Sequence, residues 1–197
     1  TKFQDAIAAY KQNLAKDPFN KDAPQVQAKI VRAYEQGMRD FDNASNERQL
    51  LVASYAPGTE WYERNKHDSE VIKAAQELSE RSLYSAAVYH HQQALQYVQG
   101  ERFELAKREF EIAARGYADY LGRFPHSKLA YELQYYLGDC QYQSMQFMEA
   151  ARTFEAVRDS TADTQYQADA AYGAVLAFQR EIDTRQSAVP PQMETRP

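Results

Sequence analysis

The apolar positions of this chain recur at helical spacing along most of its length. In residues 2–16, Ala9 and Tyr10 follow Ala6 by three and four positions, and Leu14 follows Tyr10 by four, which places these side chains on one face of a helix. The same period continues at residues 24–40, 69–99, 102–123, 127–144, 147–159 and 164–182. The pattern predicts a series of amphipathic helices.

The longest predicted helix has a start signal and a stop signal. Asp68 is expected to cap its N-terminus and Gly100 to close it. At about 1.5 Å per residue, residues 69–99 would span about 47 Å. A helix of that length could join the end of one helical hairpin to the start of the next.

The region before this helix is less regular. The polar run Asp42-Asn43-Ala44-Ser45-Asn46 predicts a break, followed by a short helix near Glu47–Ser54. A connector with a turn at Pro57-Gly58 is expected next, and Trp61 and Tyr62 are expected to pin it to helices.

Composition agrees with helix rather than sheet. The chain has 30 alanines and 20 glutamines, whereas valine, isoleucine and threonine together number 21, and there are 7 glycines and 7 prolines. Unbranched side chains lose little freedom in a helix, while sheets favour β-branched residues and frequent turns. We therefore expect an all-α fold.

Charge and hydropathy remove several classes of function. The formal net charge is −5, and no basic block or stripe of the kind that binds nucleic acid occurs. No apolar run is long enough for a membrane span. The single cysteine, Cys140, excludes an internal disulfide. Whether the full-length protein carries a signal or lipid anchor stays open.

A short motif occurs twice. A small residue is followed by an aromatic one turn later and by a helix-ending proline eight positions after that, at Ala6, Tyr10 and Pro18, and again at Ala113, Tyr117 and Pro125. The small residue allows two helices to approach, the aromatic fills the groove beside it, and the proline cannot continue the helix. The pair Leu137-Gly138 has a counterpart 35 residues later at Tyr172-Gly173.

These residues resemble the tetratricopeptide repeat, a helix–turn–helix unit of about 34 residues. The stretch that carries most of the resemblance comprises Phe124-Pro125-His126-Ser127, Ala130, Tyr136-Leu137-Gly138, Phe147, Ala150, Phe154 and Val157. It is similar to repeats of bacterial envelope proteins of the outer-membrane assembly lipoprotein and Tol-Pal coordinator type, and other segments resemble delta-proteobacterial gliding or pilus components. Gln134, Gln141 and Met145 depart from the family pattern.

The resemblance implies a right-handed α-solenoid of antiparallel helix hairpins. Residues 1–40 would form a repeat segment that begins mid-repeat, and residues 41–68 an irregular connector with short helices. Residues 69–182 would form further repeats that include the long helix 69–99, and residues 183–197 a disordered tail.

Candidate chemistry is sparse. His90 and His91 are adjacent, so they diverge by about 100° on a helix and are expected to pack against different neighbours. His67 and Glu70 lack further ligands, and a metal site needs three or four. Cys140 is expected to be a small buried hydrophobe. We expect no catalytic residues, no cofactor and no metal.

One cluster suggests binding. Glu132, Tyr135, Asp139 and Tyr142 are spaced three, four and three residues apart, so they share one helix face. By resemblance, that face lines the concave groove of the repeat, and tyrosine suits a protein-binding surface. The alternative is that Tyr135 and Tyr142 simply pack against a neighbouring helix.

The sequence thus favours a non-catalytic scaffold that binds a protein or peptide partner. By resemblance it would act in a bacterial cell-envelope assembly, in the periplasm or associated with the outer membrane, although a cytoplasmic location is left open. The alternatives are a structural, homo-oligomeric subunit of a motility or secretion complex and a chaperone adaptor that binds peptide C-termini. Asp139 disfavours the adaptor, since it puts an acid where such clamps use asparagine.

Overall fold

A computed structural model describes residues 2–188, and within that range it contains helices but no strand. The prediction of an all-α fold is confirmed. The α-helices are α1 (Lys2–Lys16), α2 (Ala23–Arg32), α3 (Phe41–Ser54), α4 (Glu60–Asn65), α5 (Ser69–Gln99), α6 (Phe103–Arg123), α7 (Ala130–Gln143), α8 (Phe147–Arg158) and α9 (Gln167–Ala188). A π-helical segment, Ala33–Met38, follows α2 directly.

The chain divides into two compact units, and the division falls between Ala86 and Ala87, inside α5. We call residues 2–86 the N-terminal unit and residues 87–188 the C-terminal unit. The boundaries after residues 40, 68 and 182, which the repeat resemblance implies, stay predictions. Alanine-rich helix gives no local signal for a division of this kind, because the helix itself continues without a break.

Two apolar clusters hold the N-terminal unit together. Ile7, Ile30 and Ala33 join α1 to α2 and the π-helical segment. The second cluster contains Trp61 from the connector, which is 2 % exposed and packs edge to face on Tyr55 with ring centroids 5.1 Å apart. The Trp61 indole N–H donates to the carbonyl of Asn20 at 2.8 Å. The prediction that Trp61 pins the connector is confirmed.

Residues 42–46 are helical, so the predicted polar break is wrong. The α3 helix begins at Phe41 because Asp40 caps it: the backbone N–H of Asn43 donates to the Asp40 carboxylate at 3.1 Å. A polar run without glycine or proline continues as helix once its first turn is capped. Inside α3, buried Glu47 accepts from the Gln27 amide at 2.7 Å, so its carboxylate is satisfied.

The helix expected over residues 24–40 changes character halfway. It is α-helical to Arg32 and π-helical from Ala33 to Met38, and it ends where Arg39 adopts a left-handed conformation with φ of 54°. An apolar pattern with a period of three to four residues does not reveal a local change from α-helix to π-helix.

In the C-terminal unit, each helix packs against the next one along the chain. Contacts join α6 to α7, α7 to α8 and α8 to α9, and α7 also contacts α9. Tyr117 and Tyr120 of α6 are almost fully buried. At the start of α5, in the N-terminal unit, Asp68 caps the helix as predicted, since its carboxylate accepts from the Val71 N–H at 3.3 Å.

The centre of this unit is Phe154, which lies between two glycines. A Cβ atom built on Gly138 of α7 would lie 2.8 Å from the Phe154 ring, and one built on Gly173 of α9 would lie 2.9 Å from its other edge. The two positions therefore need glycine because one aromatic ring from α8 fills the space against both helices. The pair of glycines noted in the sequence thus has a shared packing role.

Gln141 and Met145, noted above as departing from the pattern of the resembled repeat, each have a local role in the structure. Gln141 points its amide oxygen at α8, where it accepts from the Thr153 hydroxyl at 2.7 Å. Met145 stands where a turn glycine is common, and it has a positive φ of 67°. The turn keeps the left-handed geometry even though the residue is not glycine.

The last helix extends beyond the predicted end. Residues 183–188, expected to belong to a disordered tail, continue α9 to Ala188. Arg185 pairs with Glu181 one turn earlier at 2.6 Å, and the hydroxyl of Thr184 donates to the Arg180 carbonyl at 2.8 Å. Pairs at this spacing support an exposed helix without a core. The rest of the predicted tail, residues 189–197, lies outside the described range.

Candidate functional site

The four residues singled out on α7 do not all reach the same site. Tyr135, Asp139 and Tyr142 line a cleft between α7 and α9 with a volume of about 250 Å³. On the α9 side the cleft is lined by Asp169, Tyr172 and Leu176, and Phe154 of α8 also contributes. Glu132 does not line the cleft.

Glu132 instead organises the aromatic side chains beside it. The Tyr136 hydroxyl donates to its carboxylate at 2.7 Å, and the Tyr166 hydroxyl donates to the same oxygen at 3.5 Å. The bond to Glu132, followed by the bond to Tyr166, raises the pKa of Tyr136. Because ionised carboxylates only accept hydrogen bonds, Glu132 holds the Tyr136 phenol in its protonated form.

Tyr135 has both a packing contact and an exposed edge. Its ring stacks on Tyr166 with centroids 4.4 Å apart and planes 8° from parallel, and it lies 5.8 Å from the Phe154 ring. Burial, and then the charges of Asp139 and Asp169, raise the pKa of Tyr135. Packing and groove lining, which the sequence offered as alternatives, therefore coexist in this residue.

Tyr142, like Tyr135, both packs against another aromatic ring and lines the cleft. It packs edge to face on Phe147 with centroids 5.5 Å apart, and its other side lines the cleft. It also borders a second depression of about 650 Å³ that is lined by Met145, Phe147 and Arg180. The two depressions share Tyr142 and Gln143, so they lie next to each other.

The cleft carries negative charge. Asp139 lies 3.6 Å from His91 Nε2 and accepts from the Gln143 amide at 3.5 Å, and its side chain is 36 % exposed. Across residues 2–188, no lysine or arginine forms an ion pair with Asp139 or Asp169. Two carboxylates between tyrosine rings make a lining that suits a cation beside an apolar group.

The α9 half of the cleft was missed at the level of sequence. A signal for it existed, because Tyr166 follows Glu132 by 34 residues and contacts it. The same offset from Tyr135 leads to Asp169, and from Tyr142 to Leu176, and both of these lie in the cleft. Among the aromatic rings that line the cleft, the ring of Tyr172 is the most accessible, since this residue is 66 % exposed.

The remaining residues considered for chemistry, His90, His91 and Cys140, are held by contacts inside the C-terminal unit. His90 Nδ1 lies 2.6 Å from Glu109, whereas His91 Nδ1 lies 3.1 Å from the Tyr117 hydroxyl, so the prediction that the two histidines contact different neighbours is confirmed. Cys140 is fully buried, and burial raises the pKa of its thiol. A thiol in that environment stays protonated and unreactive.

Neither a metal-binding cluster nor a membrane-spanning helix occurs in the described residues. No group of three or more histidine, cysteine, aspartate or glutamate side chains is arranged to hold a metal ion. No helix in this part of the chain combines the length and apolar character needed to cross a membrane.

Comparisons with known proteins add no relative. No protein-family model, curated protein or solved structure matches this chain.

Proposed function

We propose that this protein is a non-catalytic interaction scaffold that binds an extended segment of a partner protein in the cleft between α7 and α9. The observation that carries this proposal is the cleft itself, which has exposed tyrosine on α9 facing tyrosine and carboxylate on α7. Its walls offer large aromatic area with polar tips, the surface chemistry typical of protein-binding hot spots.

The proposal includes a tetratricopeptide-type arrangement of the C-terminal unit. Two features support it: successive helices pack on each other while α7 also contacts α9, and residues offset by 34 positions contact each other or line the same cleft. Hairpins that stack in this way create a groove between alternate helices. The resemblance of residues 124–157 to envelope proteins further supports an assembly role in the periplasm or at the outer membrane.

The charge of the cleft favours one kind of partner. Asp139 and Asp169 would attract a segment with a lysine or arginine beside an apolar side chain, and they would repel an acidic C-terminus. The scaffold is therefore favoured over the chaperone adaptor that grips acidic peptide ends.

Replacing Tyr172 with alanine should weaken selective peptide binding without unfolding the chain. Peptides would be selected from a random displayed library on the wild-type chain, and their dissociation constants measured by calorimetry. We expect the Tyr172→Ala change to weaken binding by about 30-fold, since aromatic anchors at hot spots contribute on the order of 2 kcal/mol. The 66 % exposure of Tyr172 predicts little change in stability.

Phe103→Ala is the matched control. Phe103 is 64 % exposed, belongs to the same unit and lies outside the cleft, so its loss should leave the dissociation constant unchanged. Failure to select any peptide, or equal binding to the Tyr172→Ala variant, would refute the proposal.

A second candidate is a structural subunit that associates with copies of itself. It is favoured by a stripe on α9 at positions 168, 171, 175, 178 and 182, where Val175 is 65 % and Ile182 48 % exposed. Such three- and four-residue spacing forms the seam of helix pairs. For this candidate, light scattering should show mass rising with concentration, and Val175→Asp should prevent the rise while Val98→Asp on α5 should not.

A further inference from the structure

The N-terminal unit contains a small cavity rich in arginine. It has a volume of about 130 Å³ and is lined by residues of α2, the π-helical segment, α3 and the first half of α5. Its charged and hydroxyl-bearing lining residues are Arg32, Glu35, Arg48, Arg81, Ser82 and Ser85. This volume is well below the several hundred Å³ typical of sites for drug-sized ligands, so only a small group would fit.

Arg48 is the buried member of this set. It is 7 % exposed, and its Nη2 group donates to the Glu35 carboxylate at 3.1 Å. Its Nε atom is buried without a hydrogen-bond partner in the described residues. Burial lowers the pKa of the guanidinium despite the neighbouring Glu35 charge. A buried donor without an acceptor costs free energy. The hydrogen bond to Glu35 therefore leaves Arg48 with an unsatisfied donor at Nε.

Arg32 and Arg81 add two exposed guanidinium groups at the same cavity. Neither forms an ion pair with any carboxylate in residues 2–188. Three arginines set against the single Glu35 leave a net charge of +2 on the lining. The cavity therefore has more hydrogen-bond donors than acceptors and more positive than negative charge.

We propose that this cavity binds a phosphate group. A phosphate group at neutral pH carries a charge of about −1.5 to −2, which matches the lining, and its oxygens accept several hydrogen bonds at once. Guanidinium groups present planar pairs of donors that suit such oxygens, and the hydroxyls of Ser82 and Ser85 can supply further donors. A carboxylate, with one charge and two oxygens, would leave part of this lining unsatisfied.

The group could come from free phosphate or from a phosphorylated side chain of another protein. Both sources would place the same anion among the three arginines, with the ester oxygen of a phosphorylated residue directed toward solvent. This site shares no residue with the cleft of α7 and α9, so the phosphate proposal can be tested independently of the proposed scaffold role.

Calorimetric titration at constant ionic strength tests the proposal. The full chain would be titrated with inorganic phosphate, a short phosphoserine peptide, its unphosphorylated form, and acetate. We expect saturable binding of at least one of the two phosphorylated ligands, and no comparable binding of acetate or of the unphosphorylated peptide. Binding of the peptide alone would identify a protein-borne source, and binding of free phosphate alone would identify a free one.

Two variants locate the binding. Arg81→Gln removes an exposed charge from the cavity, and it should weaken phosphate binding by about tenfold, because a charged hydrogen bond contributes on the order of 1.5 kcal/mol. Arg64→Gln removes another exposed charge, one that lies outside the cavity, and should leave binding unchanged. Absence of phosphate binding, equal acetate binding or equal weakening by both variants would overturn the proposal.

Discussion

Replacing Phe154 with alanine should lower the free energy of unfolding by about 3–5 kcal/mol, the range observed when a buried phenylalanine is truncated. The Phe154 ring is 5 % exposed and touches helices on both sides, at Gly138 and Gly173. Since neither glycine has a side chain that could move into the space, the cavity left behind would collapse poorly. Urea unfolding followed by circular dichroism would measure the loss.

The exposed aromatic Phe103 provides a control of the same chemistry. Phe103→Ala should change the free energy of unfolding by no more than about 0.5 kcal/mol, because the ring is already 64 % exposed. A similar small loss for Phe154→Ala would show that its ring does not hold α7 and α9 together, and the geometry of the cleft would then lose its support.

The second large effect is expected in the N-terminal unit, at Trp61. Trp61→Ala removes a side chain that is 2 % exposed and that donates a hydrogen bond to Asn20. We expect a loss of about 3–5 kcal/mol, again measured by circular dichroism because the chain has no other tryptophan to report by fluorescence.

A conservative change separates packing from hydrogen bonding at this position. Trp61→Phe keeps an aromatic ring but removes the indole donor, so it should retain a substantial part of the stability that alanine loses. The missing bond leaves the Asn20 carbonyl short of a partner at a cost of about 1–3 kcal/mol. Equal losses for both variants would show that the ring contact with Tyr55 contributes little.

Helix content could be predicted from the sequence because it depends on local pattern. Alanine-rich apolar stripes and the cap at Asp68 act within one or two turns, and both are found in the structure. The predicted break at residues 42–46 failed because polarity was mistaken for disorder of the backbone. The cap at Asp40 shows that a polar run can start a helix as well as interrupt one.

The site was only half predictable, for a different reason. Spacing on α7 grouped Tyr135, Asp139 and Tyr142, which line one cleft, since residues on one helix face are related by simple arithmetic. Which groups face them from α9 depends on how the helices pack, and that information is carried by Phe154 and the two glycines rather than by the site residues. Glu132 shows the limit of spacing: it shares the α7 face but bonds to Tyr136 and Tyr166 beside the cleft.

The arginine cavity lay beyond the reach of sequence patterns altogether. Its charges come from positions 32, 48 and 81, which belong to three separate helices and form no cluster along the chain. The whole-chain charge of −5 even points away from an anion site. Net charge describes the surface as a whole, whereas a local excess of donors depends on tertiary packing.

The most direct test of the scaffold role is magnetic resonance of the chain with isotope-labelled tyrosine rings, recorded with and without a selected peptide. We expect the ring signals of Tyr135, Tyr142 and Tyr172 to shift in proportion to bound peptide, while those of Tyr10 and Tyr34 stay in place. Shifts confined to tyrosines outside the cleft, or no shift at saturating peptide, would contradict binding between α7 and α9.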